Sequence, residues 1–115
     1  MNFEKELFVL NLVLLVGRVA REVKLMQSST GKPFMFLTIA VDGYYDRKAG
    51  KTTSDFIPVT VWGKEAERCK ALVKGSLIEV KARVSPGRYE KDGKTQYTLD
   101  LVADEVKFLS KPKGA

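Results

Sequence analysis

Between Asp55 and Trp62 the chain alternates without a break: Ile57, Val59 and Val61 fall on one side, Phe56, Pro58, Thr60 and Trp62 on the other. A period of two marks a half-buried β-strand, because successive side chains of a pleated strand point to opposite faces. With the β-branched side turned to the core, Phe56 and Trp62 are left facing outward, where two large rings need a partner. The pattern recurs along the chain. Leu77–Val84 alternates with Ile78, Val80, Ala82 and Val84 inward and Glu79, Lys81 and Arg83 outward. Phe34–Val41 reads as another strand and Gln96–Leu109 as the last. Phe8–Ala20, rich in Val and Leu, reads as the first, with Gly17 marking a bulge or bend. Turn signals separate them: the cluster Ser28–Pro33, a basic loop from Asp42 to Ser54, and Pro86-Gly87, which is expected to break its strand. Asp92-Gly93 predicts a tight hairpin between Tyr89 and Tyr97.

One segment has helical spacing. Gly63–Lys74 carries Glu65 and Glu67 in its first turn, Lys70 and Lys74 near its end and Gly75 just beyond, which suits the helix dipole and a glycine cap. Ala66, Cys69, Leu72 and Val73 form its predicted buried stripe, so Cys69 reads as a small core residue and not a nucleophile. The expected class is all-β with one helix. Five strands with a helix between the third and fourth is the order of an OB-fold barrel, although small barrels of other topologies share it. In a chain of 115 residues this is one domain, residues 1–110, followed by a short basic tail, 111–115.

Composition removes most chemistries. The chain has no histidine and a single cysteine. That excludes a disulfide framework, a His/Cys zinc cluster and a Ser-His or Cys-His catalytic pair. No phosphate-cradling glycine loop can be assembled either, so neither an enzyme nor a cofactor or metal is expected. The apolar run Leu7–Val16 is flanked by Glu4-Lys5-Glu6 and interrupted by Asn11, unlike a signal peptide, and it is too short to span a bilayer. It reads as a buried strand of a cytoplasmic protein with no membrane partner, and one free cysteine fits a reducing compartment.

The charge points to a partner. Twenty Lys and Arg stand against fourteen Asp and Glu, a formal net charge of +6. Such a balance favours polyanions, nucleic acid first and an anionic membrane surface second. Residues 44–51 hold Arg47, Lys48 and Lys51 against Asp46; residues 81–94 hold Lys81, Arg83, Arg88, Lys91 and Lys94 against Glu90 and Asp92. Tyr44, Tyr45 and Tyr89 lie in the same two segments. Cations interleaved with flat rings suit single-stranded nucleic acid.

Four blocks of this sequence resemble the bacterial single-stranded DNA-binding protein family. They are Val13-Leu14-Leu15-Val16-Gly17-Arg18-Val19, Leu37-Thr38-Ile39-Ala40-Val41, the run from Asp55 to Glu67, and Tyr89-Glu90 with Asp92-Gly93-Lys94 followed by Leu101–Asp104 and Phe108-Leu109. In order, they cover roughly residues 8–110. The resemblance implies an OB-fold that assembles as a dimer of dimers, a homo-tetramer with a dimer as the alternative, and wraps single-stranded DNA. It also implies work in replication, recombination and repair, with replication or repair proteins as further partners.

Carried over by position, the resemblance assigns base stacking to Tyr45, Phe56, Trp62 and Tyr89. Three of these positions often hold Trp in the family, and the fourth, Trp62, often holds Phe. Lys48, Lys51, Lys64, Arg83, Arg88 and Lys91 are nominated as phosphate contacts, against the default of a solvated basic surface. For the outward rings the alternative is a subunit interface, and Phe34 and Phe36 suit either role. Pro58 stands where relatives often carry a cation; lacking a backbone donor, it belongs at an edge or bulge. The family's acidic, aromatic tail tip has no counterpart in Ser110–Ala115, as in a shortened chain or a tailless variant. A tailless OB-fold adaptor that holds partner proteins on DNA is therefore the second functional reading.

Overall fold

A single parallel rung, Thr60 beside Val102, joins two antiparallel halves into a closed barrel. The computed structural model describes residues 10–112. Its elements are β1 (Val13–Val19), β2 (Met26–Gln27), β3 (Pro33–Asp46), β4 (Lys51–Trp62), α1 (Gly63–Cys69), β5 (Leu77–Lys91) and β6 (Lys94–Ser110). The sheet runs β1–β5–β6–β4–β3, and β3 returns to β1 through Arg18–Ala40 and Val19–Ile39. Five strands thus close on themselves with α1 between β4 and β5, the expected OB-fold order; the two-residue β2 is an addition on β3. No described helix is long and apolar enough to cross a membrane.

Alternation sets the core as expected. Val59 and Val61 of β4, Ile78, Val80 and Ala82 of β5, and Met35, Leu37 and Ile39 of β3 are buried inside the barrel. Burying each large side chain contributes roughly 1.5–3 kcal/mol. Ala66, Cys69 and Leu72 join the same core, and burial pushes the Cys69 thiol up to about 11, where it is inert at neutral pH.

Several expectations are corrected. The helix stops at Cys69 instead of Lys74: Lys70 and Ala71 form a turn, so Leu72 still reaches the core while Val73 faces water. Its last turn yields to backbone bonds that pin the next segment to β1, Gly75 N–H to Val19 O at 2.8 Å and Val19 N–H to Ser76 O at 2.9 Å. The segment 42–54 is no loop, since β3 and β4 run on through it and leave only residues 47–50 as a turn. Pro86-Gly87 does not break its strand either. β5 continues through both, paired with Leu99 and Thr98, to the Asp92-Gly93 turn, where both residues have positive φ.

The first strand begins at Val13, and within it Leu14 and Val16 face outward instead of being buried. Phe8 and Val9, like Lys113–Ala115 of the tail, lie outside the described residues. Gly17 makes no bulge. It pairs in register with Ile78, and a Cβ there would stand 2.2 Å from Ala40 O, so the glycine lets β1 cross from β5 to β3.

Candidate nucleic-acid interface

The outer face of β3 and β4 is an aromatic row built by alternation. Partners in register share a face, so Phe34 stands beside Trp62, Phe36 beside Thr60, Thr38 beside Pro58 and Ala40 beside Phe56. Phe34 and Trp62 have ring centroids 5.0 Å apart, tilted by 31°, and Phe36 meets Phe34 edge-on at 5.6 Å. Phe36 and Phe56 are exposed at 60% and 63%, whereas Trp62, packed on Phe34, is exposed at 37%. Pro58 pairs with β3 alone and lies off the single β4–β6 rung, so its missing N–H is harmless.

Tyr45 joins this row through a bulge. Between Asp42 and Tyr45, β3 spends three steps while β4 spends two, from Ser54 to Thr52. One extra residue reverses the parity of the strand. Odd-numbered Tyr45 therefore lies beside Thr52, on the same side as Phe56 and the even-numbered Phe34 and Phe36. Lys48 sits in the turn beyond, where its backbone N–H donates to Asp46 Oδ1 at 2.9 Å; Lys51 opens β4 opposite Asp46. Tyr45, Lys48 and Lys51 are thus gathered on one arm.

The second arm is β5–β6. From Ala82 onward its register is unbroken, so Arg83, Ser85, Gly87, Tyr89 and Lys91 share one face with Val102, Asp100, Thr98, Gln96 and Lys94. Because Val102 lies beside Thr60, this face continues the aromatic row. Tyr89 and Lys91 therefore stand on the same side as Trp62, and Arg88 on the other, beside Tyr97. Lys64, the second residue of α1, lies off the sheet.

Arg83 lines a cleft of about 560 Å³ with Trp62, Ser28, Thr30, Lys32 and Ser85. There its guanidinium donates to the Asp104 carboxylate, the extra residue of a β6 bulge where Lys81 pairs with Glu105 and Ala82 with Ala103. Lys32 places its ammonium 5.3 Å from the centroid of the Trp62 ring. Sequence reasoning missed Lys32. Its only signal was a cation at the end of a turn cluster, one residue before a strand with outward rings. Asp104 was missed as well, because a bulge that turns an acid toward Arg83 leaves no mark on alternation.

The sequence and its fold are similar to those of known proteins. Over 103 residues the chain is 43% identical to the single-stranded DNA-binding protein of Clostridium tetani, an overlap of 87% of this chain and 70% of that one. Over 109 residues it is 38% identical to single-stranded DNA-binding protein 1 of Clostridium acetobutylicum, covering 92% of this chain and 99% of the relative. The crystal structure of the wild-type single-stranded DNA binding protein from Thermus aquaticus superposes with a TM-score of 0.74 at 25% identity over 88% of this chain. This chain spans 50% of that one. Residues 10–109 match the single-strand binding protein family, and the chain belongs to that family.

Proposed function

We propose that this protein binds single-stranded DNA without catalysis, stacking bases on the outer rings and pairing phosphates with flanking cations. The observation that carries the reading is the continuous outer face from Tyr45 and Phe56 through Phe36, Phe34 and Trp62 to Tyr89, with Arg83 and Lys91 along it and Lys48 at the turn beyond Tyr45. Lys51, beside Asp46 and one step from Thr52, lies on the opposite side of that arm. Exposed bases offer π-faces whatever their identity, so stacking tolerates sequence, while cations follow the backbone. Duplex DNA hides those faces. Arg88 and Lys64 contribute to the general positive field and not to this face. The cellular role that fits is coating exposed strands in replication, recombination and repair.

The reading includes self-association. Among the described residues, β1 pairs with β5 alone along Val13–Gly17, and Leu14 and Val16 are exposed at 59% and 52%. An open strand edge beside exposed apolar side chains is a template for another strand. A second copy of this chain, whose own β1 is complementary to it, is the proposed partner.

Trp62 is the sole tryptophan, so its emission reports directly on the face. Titration with an oligo-dT strand at several salt concentrations is expected to quench it strongly. Log affinity should fall linearly with log salt, by about 0.7 per phosphate contacted. Substantial binding should persist at high salt, because stacking carries little salt dependence, and a duplex of equal length should bind far more weakly. Equal affinity for single and double strands would overturn the stacking mechanism. Weak binding with a shallow slope would favour the adaptor reading.

A further inference from the structure

Asp100 is out of place on a face built for a polyanion. Two neighbouring clefts of about 300 Å³ each open on that face, and Phe36, Thr60 and Asp100 border both. Arg83 engages Asp104, but among the described residues Asp100 has no ion-pair partner, and its one side-chain hydrogen bond is accepted from the Thr98 hydroxyl at 3.5 Å. Nor is it covered. Gly87, across the strand pair, leaves open a position where a Cβ would stand 3.6 Å from Asp100 Oδ2. An uncompensated carboxylate repels phosphate, so the strand must present something else at this point. With Phe36 bordering the same clefts, that part is a base edge.

We propose that Asp100 forms a guanine-preferring position within an otherwise sequence-tolerant site. A carboxylate only accepts hydrogen bonds, through two oxygens side by side. The guanine edge offers N1–H and the N2 amino group as adjacent donors, which match both oxygens at once. Adenine and cytosine offer one amino group beside a bare ring nitrogen that repels the second oxygen. Thymine flanks its single N3–H with two carbonyls. A base seated against Phe36 with its edge toward Asp100 is therefore held best when it is guanine. The inference rests on the single-strand binding reading above.

The test uses a short oligo-dT strand and three copies carrying one central guanine, inosine or adenine, all followed through Trp62 emission. A short strand slides to its best register, so one base reaches the position. Inosine keeps N1–H but lacks the amino group, and adenine controls for the stronger stacking of a purine. Guanine is expected to tighten binding about five- to tenfold over adenine and inosine, the lower end of discrimination by a bidentate pair because the site is open to water. The isosteric Asp100→Asn variant should bind plain oligo-dT at least as tightly, because a charge that repels phosphate is gone, and lose the guanine advantage. Equal gains from guanine and adenine in the wild type, or a guanine advantage that persists in Asp100→Asn, would overturn the proposal and leave single-strand binding intact. Failure of the wild type to bind oligo-dT would overturn both.

Discussion

Phe34 and Trp62 lean on one another across the β3–β4 pair, centroids 5.0 Å apart, and Lys32 sits over the same indole. An offset aromatic pair on a sheet stabilises it by roughly 0.5–1.5 kcal/mol beyond the area it buries. Here it also fixes the indole before any ligand arrives. A base that stacks on an ordered ring need not offset the entropy of ordering it, which is how preorganisation raises affinity. Phe36 has only an edge-on contact with Phe34, Phe56 has no ring partner among the described residues, and both stand further into water. The row thus has one anchored ring and several open ones.

That difference sets the first prediction. Phe36→Ala, Phe56→Ala or Tyr45→Ala should each weaken single-strand binding by ~1–3 kcal/mol, the usual effect of removing a base–aromatic stack. Stability to urea should barely change, because these rings are exposed. Val59→Ala, one register position inside, should behave oppositely: retained affinity in the folded fraction, with stability lost to a core cavity by about 1–3 kcal/mol. A Phe56→Ala protein that unfolds would show that β4 presents the other face outward.

Much of this face was legible in the chain because alternation is a local property. Phe56 and Trp62 follow from the β-branched residues between them, and the Asp92-Gly93 turn follows from its two residues with positive φ. What escaped depends on pairing between distant segments. The parity reversal that brings Tyr45 onto the row arises only when β3 and β4 are laid side by side. Pro86-Gly87 resembles a break until a long partner strand holds it in register. Gly17 carries the right signal, yet its cause is Ala40, a residue with no sequence proximity to it. The end of α1 is likewise set by its attachment to β1 and not by helix propensity.

Arg83 is expected to exchange partners when DNA binds. Its pairing with Asp104 is about half exposed on both sides, and such pairs contribute roughly 0–1 kcal/mol. A phosphate entering the Trp62 cleft competes with that carboxylate on near-equal terms. Asp104→Asn should therefore tighten binding up to about fivefold at low salt. Arg83→Ala should reduce the salt slope by about 0.7. An unchanged slope in Arg83→Ala would mean that the guanidinium stays with Asp104 and touches no phosphate.

The β1 edge yields an oligomer prediction. Leu14→Lys and Val16→Lys place charges where the monomer already meets water, so folding should survive. An edge charge is a common barrier to strand addition. Sedimentation equilibrium should give a multiple of the monomer mass for the wild type and a shift of at least tenfold in the dissociation constant for the double variant. Identical masses for the two proteins would place the self-association surface elsewhere.

Glu65 and Arg68 tie α1 to β6 by reading both backbone groups of one residue. Glu65 Oε2 accepts the Val106 N–H at 2.9 Å, the Arg68 guanidinium donates to Val106 O, and the two side chains pair with each other at 2.9 Å. The Arg68 hydrogen bond, aided by the Val106 N–H and opposed by partial burial, holds the Glu65 carboxyl below its ordinary value. A depressed folded-state value means that the ionised form favours the fold. Its contribution is present in full above the unfolded-state value of about 4.3 and is lost as pH falls through the lower folded one. Glu65→Ala should cost about 1–2 kcal/mol at pH 7, because the Val106 N–H, on a buried residue, loses its acceptor. Glu65→Gln keeps an acceptor but cannot ionise, so it should cost less and show no such pH term. Urea denaturation at pH 7 and near pH 3 separates the cases: the advantage of wild type over Glu65→Gln should shrink toward zero at the lower pH. An advantage that holds constant across that range would mean the carboxylate charge does nothing for the helix–strand junction.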